Sequence, residues 1–254
     1  MKILLTNDDG INAPGLAALA KAVAKIGEVT IVAPATEMSA VGHAITLSDP
    51  LRVANFTKND HFFGYAVNGT PADCVKIAYW ALLKNKPKPD LLISGINLGS
   101  NTGINTIYSG TVSAATEGAI IGLPSFAISL ATFTDPNFAA AAEFAVKLAE
   151  IVCRKPLPAG VFLNVNVPNV PKDEINGVRI TRQGRARYIE EFQPRKDPHQ
   201  RKYYWLTGEK VKVETDPDVD DRAILENYIA ITPIHYDLTC YSVIESLRGW
   251  QIEI

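Results

Sequence analysis

The 254-residue chain lacks any long apolar run, and its N-terminal hydrophobic stretches are strand-length, with no basic lead and no small-residue cleavage site. That argues against a secretory leader or a membrane span and predicts a cytoplasmic protein. Cysteine is scarce as well. Cys74, Cys153 and Cys240 lie far apart and form no C-x-x-C pair, which argues against a zinc site or a disulfide framework; each reads as a small buried residue. Charge of one sign is also missing: 25 Lys and Arg against 27 Asp and Glu give a formal net charge of -2. No broad field draws the chain to nucleic acid or to an anionic membrane, so any phosphate chemistry has to be local. No internal repeat and no Gly/Ser-rich linker divides the sequence, which predicts a single domain over 1–254.

What is present is an alternation of strand and helix signals. Lys2-Ile-Leu-Leu-Thr6 is an apolar strand run, Gly15 to Lys25 reads as a helix, and Val29 to Ala33 as a second strand, together a βαβ unit. Strand runs recur at 90–94 and 124–130, with helices over 72–84, 112–121 and 138–153. The expected fold is therefore α/β and Rossmann-like, with a mainly parallel sheet flanked by helices over 1–160. From about 161 onward the rhythm turns β-rich: Phe162 to Val167 alternates, and 177–183 and 203–206 read as strands. The charged stretch 182–202 has little apolar periodicity and suits a protruding arm or a solvated loop.

In an open parallel sheet, ligands sit beyond the carboxyl ends of the strands, so polar residues just after each strand are the candidates for chemistry. Asn7-Asp8-Asp9-Gly10 follows the first strand; two adjacent carboxylates repel unless a cation neutralises them, although an Asx-type turn also accounts for them. After the second strand, Ser39 and His43 occupy a loop, where Ser39 is either a metal ligand or a turn residue. After the 90–94 strand comes Ser94-Gly-Ile-Asn97-Leu-Gly-Ser-Asn101-Thr-Gly103, whose glycines allow close backbone approach and whose Asn side chains offer neutral oxygen. Its glycines are spaced by four. Neither G-x-G-x-x-G nor a G-K-[ST] ending appears, which argues against a dinucleotide-dependent oxidoreductase. Tyr108-Ser109-Gly110-Thr111-Val112 opens a helix, where N–H groups and two hydroxyls serve equally as a cap or as a phosphate seat.

Two carboxylates, a hydroxyl and an amide oxygen form a hard donor set that favours Mg²⁺ or Mn²⁺ over Zn²⁺. The acidic run Asp216-Pro-Asp218-Val-Asp220-Asp221 lacks the Gly and the final Glu of a calcium loop and reads as a charged loop.

These motifs, M-K-I-L-L-T-N-D-D-G at 1–10, G-H-A-I-T-L at 42–47, G-T-P-A-D-C-V at 69–75, S-G-I-N-x-G-x-N at 94–101 and Y-S-G-T-V-x-A-A-x-E-G at 108–118, occur in an order that resembles the SurE family of stationary-phase survival proteins, which act as 5′/3′-nucleotidases. L-N-V-N-V-P at 163–168 and I-T-P-I at 231–234 extend the resemblance over nearly the whole chain. It implies one divalent metal per subunit, held by Asp8, Asp9, Ser39 and Asn97, and a phosphate pocket lined by Asn97, Asn101, Ser109, Gly110 and Thr111. It also implies hydrolysis of nucleoside 5′- and 3′-monophosphates, and of short polyphosphate, with Asp8 and Asp9 as the catalytic pair. Further implications are a homodimer or homotetramer built through an arm near 182–210, and no nucleic-acid or membrane partner. Met38 stands where many relatives carry a basic residue. The residues by themselves leave open a non-enzymatic class, a metal- or nucleotide-binding regulatory oligomer.

Overall fold

The computed structural model describes residues 1–211, 214–250 and 252. In chain order the first half comprises β1 (Lys2–Thr6), α1 (Pro14–Val23), β2 (Glu28–Pro34), β3 (Val53–Lys58), β4 (His61–Val67), α2 (Pro71–Ile77), β5 (Leu91–Leu98), α3 (Gly110–Ile120) and β6 (Ser125–Ala131). The second half comprises α4 (Ala139–Arg154), β7 (Val161–Pro168), β8 (Gly177–Ile180), β9 (Arg187–Lys196), β10 (Lys202–Val211), α5 (Asp220–Leu225), β11 (Tyr228–His235) and α6 (Tyr241–Arg248). Nine strands form one sheet in the order β3-β4-β2-β1-β5-β6-β7-β11-β8, and β9 with β10 forms a separate antiparallel ribbon. Strands β4, β2, β1, β5, β6 and β7 run parallel. No helix among the described residues is long and apolar enough to cross a membrane.

Side chains of a strand point alternately to opposite faces, and β1 uses both. Ile3 and Leu5 join α1 (Leu16, Leu19, Val23) and α4 (Ala145, Leu148, Val152) in one cluster, whereas Leu4 joins Val32, Val67, Leu92, Val75 of α2 and Ala114 of α3 in another. Coverage on both faces is why β1 and β5 read as unbroken apolar runs. The i, i+3, i+7 spacing of Leu16, Leu19 and Val23 turns the buried stripe of α1 toward the sheet. Thr70-Pro71-x-Asp73 sets the start of α2 as a reciprocal capping box with proline at the first turn. Asp73 is desolvated, yet the hydrogen bonds from Thr46 and Thr70 outweigh that and hold its carboxyl below its usual range.

Several expectations are corrected. Cys74 is buried, but Cys153 and Cys240 are exposed. Cys153 follows Val152, the last buried position on α4, and so falls outside that helix's apolar stripe; Cys240 precedes α6, a helix with no buried residue. The β3–β4 hairpin carries little alternation in the sequence, and β3 is an edge strand with mostly half-buried or exposed residues. The acidic run 216–221 is not uniformly a solvated loop. Asp216 and Asp218, with Glu214, bind the Arg182 guanidinium, but Asp220 and Asp221 are buried at the start of α5. The stretch 182–202 does lead into a hairpin. β9 and β10 pair over ten residues beside the main sheet, exposing Ile189, Phe192, Tyr204, Trp205 and Leu206.

One contact ties α1 to the sheet near its functional end: a Cβ at Gly15 would lie 2.0 Å from the Ile96 carbonyl oxygen. Helix propensity alone favours alanine there by about 1 kcal/mol, but the clash with backbone cannot be relieved by a rotamer. Gly15→Ala is expected to lower stability by about 1–3 kcal/mol, read as a fall in the urea midpoint at unchanged m-value; a raised midpoint would show that the close approach is not limiting.

Candidate active site

Strand order reverses between β1 and β5: the chain passes from β1 outward to β2 on one side and from β5 outward to β6 and β7 on the other. At such a switch point the loops diverge and leave a crevice beyond the strand ends. Thr6 pairs with Ser94 in register, so Asn7–Gly10 leaves the sheet beside the last residues of β5, which carry Asn97 and lead into the loop with Asn101. Asn7 Nδ2 donates to the Gly10 carbonyl at 3.0 Å and closes the first turn. Gly10 has φ +95°, and a Cβ there would meet Thr36 backbone at 3.2 Å, so the loop after β2 lies directly against this turn. The Met38 N–H donates to the Asp8 carbonyl at 2.7 Å, which brings Ser39 to the same place.

Asp8 is only 4% exposed. Its Oδ2 accepts the Thr111 N–H at 3.0 Å, and its Oδ1 accepts the Thr111 hydroxyl. A carboxylate at the N-terminus of α3 also meets the positive end of the helix dipole. Gly110 makes room for it, since a Cβ there would lie 2.8 Å from Asp8 Cβ. Asp9 Oδ2 accepts the Leu98 N–H at 3.2 Å, linking β1 to β5. Burial pushes the Asp8 carboxyl above its usual value despite the hydrogen bonds of Thr111. Burial and then the Asp8 charge push Asp9 up to about 7. Glu37 adds negative charge to both and accepts the Ser39 hydroxyl at 2.7 Å. It was not among the sequence candidates, because an isolated acidic residue in a loop carries no signal of its own.

Asn97 donates its amide nitrogen to the Gly99 carbonyl at 2.7 Å, which leaves its carboxamide oxygen as the free end. Near the ends of β1 and β5, Thr6 Oγ1, Asn7 Oδ1 and Ser94 Oγ are buried without a hydrogen-bonding oxygen or nitrogen among the described residues, and the Thr6 hydroxyl lies against the Cys74 thiol of α2. Crowded carboxylates, a hydroxyl and an amide oxygen suit a hard divalent cation. Among the described residues no group of three or more His, Cys, Asp or Glu side chains is arranged to hold a metal. A cation here would therefore rest on two carboxylates and neutral oxygens, and keep positions for water and substrate.

The sequence candidates for phosphate are differently employed. Ser109 caps α3, its hydroxyl accepting the Val112 N–H at 3.1 Å, and the donors of Thr111 face Asp8. Asn101 donates its side-chain amide to Ser129 at 2.8 Å, while its main chain is gripped by Asn164 and Asn166 of β7. Those two asparagines are fully buried, and two amides on one face of an apolar strand are the sequence signal for such a grip. Asp220 accepts the Gly103 N–H at 2.9 Å, and Asp221 accepts the Thr102 hydroxyl at 2.6 Å and the Lys210 ammonium, so the same loop is also held from the C-terminal third. His43 lies beyond the carboxylate pair; its Nε2 is 3.0 Å from Glu117 of α3, which also accepts Lys76 at 2.7 Å.

Fold and site together define a Rossmann-like α/β protein with an adjacent pair of carboxylates at the strand switch point. The chain belongs to the SurE family: the family model described as Survival protein SurE matches residues 3–190. It is 52% identical over 252 residues to the 5′-nucleotidase SurE of Syntrophobacter fumaroxidans, covering 99% of this chain and 100% of that protein. The 5′-nucleotidase SurE of Syntrophus aciditrophicus is 52% identical over 250 residues, covering 98% and 93%. The crystal structure of the SurE protein from Aquifex aeolicus superposes with a TM-score of 0.85 at 40% identity, covering 98% of each chain.

Glu117 gives a test that does not involve the carboxylate pair. Burial raises its pKa, but the hydrogen bonds from His43 and Lys76 win and hold it below the usual value. A depressed carboxyl contributes stability above its unfolded value of about 4.3, and the contribution is lost as pH falls through the folded value. Glu117→Gln is expected to lower stability by about 1–3 kcal/mol at pH 7, with the difference from wild type shrinking in urea melts run below about pH 4. A difference independent of pH would mean that the charge contributes nothing.

Proposed function

We propose that the chain is a divalent-metal-dependent 5′-nucleotidase, hydrolysing nucleoside 5′-monophosphates to nucleoside and phosphate. The observation that carries this reading is the pair at the switch point, a buried Asp8 held at the N-terminus of α3 and a half-buried Asp9 beside it on the end of β5. Asp8, Asp9, Ser39 and Asn97 would hold Mg²⁺ or Mn²⁺, one ion per subunit, and the ion would neutralise charge on the transferring phosphoryl group.

The chain's own residues supply position and donors. Thr111 fixes Asp8 and Leu98 fixes Asp9; of this catalytic pair Asp9, the less buried, would take the proton from an attacking water, with Asp8 fixed beside it. Asn97, Asn101, Ser109, Gly110 and Thr111 would border the phosphate, with the Ser109 hydroxyl as a donor, since the Thr111 donors serve Asp8 and the Asn101 amide serves Ser129. Hydrolysis of 3′-monophosphates and of short polyphosphate belongs to the same reading, since the metal and donors would engage the phosphoryl group common to all these substrates.

The chain acts as one domain over 1–254, a Rossmann-like core over 1–160 and a C-terminal part over 161–254. It assembles as a homodimer or homotetramer in the cytoplasm, with the arm near 182–210 as contact. The exposed Phe192, Tyr204 and Leu206 on one face of that ribbon, with Trp205 exposed on the other, support this assembly, because exposed apolar side chains on a two-stranded ribbon need cover.

Phosphate release from AMP and GMP is expected with Mn²⁺ or Mg²⁺ and abolished by EDTA. Asp9→Ala is expected to lower kcat/KM by about 100-fold or more while circular dichroism and the melting profile stay native-like. An Asp9→Ala protein of full activity would refute the assigned site. A wild-type protein that binds Mn²⁺ and nucleotide but releases no phosphate would favour the regulatory oligomer.

A further inference from the structure

Of the four side chains proposed to hold the cation, Ser39 is the one that is neither a carboxylate nor part of a strand. Its backbone is nonetheless held. The Met38 N–H donates to the Asp8 carbonyl at 2.7 Å, and a Cβ at Gly10 would lie 3.2 Å from the Thr36 backbone and 3.4 Å from the Glu37 nitrogen. Directly after Ser39 the chain turns through Ala40 at φ +58°, a left-handed conformation that costs a residue with a side chain about 1–2 kcal/mol. Glu37 and Ser39 thus flank a peptide fastened to the carboxylate turn, but both side chains are exposed, so packing does not choose the direction of the Ser39 hydroxyl. A hydrogen bond does: Ser39 Oγ donates to Glu37 Oε1 at 2.7 Å.

A serine hydroxyl carries one proton and two lone pairs. To face a cation it must present a lone pair and send its proton elsewhere, because a proton turned toward a cation is repelled. An ionised carboxylate is the strongest acceptor a side chain can offer for that proton. Glu37 also has a second, less specific effect. It adds negative charge to Asp8 and Asp9, and none of the ion pairs formed among the described residues involves any of the three. Charge of this kind attracts a cation whether or not Ser39 is present, whereas control of the hydroxyl acts only through Ser39. Nor is Glu37 a further direct ligand, since no three acidic side chains among the described residues are arranged to hold a metal.

We propose that Glu37 is a positioning residue for the cation: its carboxylate takes the Ser39 proton and leaves the hydroxyl lone pairs free for the metal. The proposal rests on the metal-dependent reading for the role of Ser39 and gives that ligand an outer partner which the reading does not contain. Outer partners that orient a ligand set metal affinity without touching the metal.

The test is Mn²⁺ binding by calorimetry to the metal-free full chain. Glu37→Gln keeps an acceptor oxygen at the same reach and removes the charge; Glu37→Leu removes both. Glu37→Leu is expected to bind Mn²⁺ about 10- to 100-fold more weakly than Glu37→Gln, and in a Ser39→Ala background this gap is expected to shrink to about twofold or less. Urea midpoints without metal should stay at the wild-type value in every variant, because both side chains are exposed. Equal affinities of the Gln and Leu variants, or a gap that survives Ser39→Ala, overturn the proposal and leave Glu37 acting by charge alone. Wild-type affinity in Ser39→Ala removes Ser39 from the ligand set and overturns the proposal with it. A protein that shows the expected Ser39-dependent gap yet releases no phosphate from AMP upholds the proposal and removes the phosphatase reading.

Discussion

A carboxylate withdrawn from water needs donors to replace those it loses, and Asp8 finds both of its donors on Thr111, at the first turn of α3. This pairing constrains much around it. Residue 110 can carry no side chain because Asp8 fills the space, the loop after β2 is docked through the Asp8 carbonyl, and the neighbouring carboxyl of Asp9 is forced into the same low-dielectric corner. The helix dipole of α3 is directed at Asp8 and not at open solvent, so what remains for a ligand is the outer side of the carboxylate pair.

Behind that pair lies a layer of buried polar groups that serves the Gly/Asn loop. Asn164 and Asn166 reach it from β7, Asp220 and Asp221 from α5, and Lys210 from β10. An unsatisfied buried polar group costs about 1–3 kcal/mol, so a loop whose carbonyls and N–H groups are met this completely has few alternative conformations. Rigid support of this kind is what a site made of short side chains requires, because Ser and Asn cannot stretch to correct a misplaced backbone. It also explains why the C-terminal third is structurally continuous with the site although it supplies no candidate ligand.

Much of this was legible in the sequence, and the reasons for the remainder are specific. The run Ile3-Leu4-Leu5 ending in Asn7-Asp8-Asp9 announces a buried strand with a polar end, and the sheet order then places Asn97 beside it, as an open parallel sheet demands. Burial of Asp220 and Asp221 was not legible, because their partners Gly103 and Thr102 lie more than 100 residues away and four nearby acidic residues read as one solvated face. The ion pairs of Glu117 with His43 and Lys76 were hidden for the same reason: each member sits in a motif, but nothing in the spacing joins them. The Y-S-G-T motif suggests Thr111 as a phosphate donor; in the structure its N–H and hydroxyl donate to Asp8, a contact between residues 103 apart that no spacing announces.

That separation has a consequence for the newborn chain. At about 5–20 residues per second, β1 leaves the ribosome roughly 5 to 20 seconds before the residues that will hold its carboxylates. During that interval Ile3-Leu4-Leu5 is an apolar segment without neighbours, and the only charges that follow it closely are Asp8 and Asp9. Mutual repulsion between copies of this segment discourages intermolecular pairing, as gatekeeper charges do beside other aggregation-prone strands. The two carboxylates that later crowd into one corner thus first act apart from any ligand, as guards on the strand they terminate.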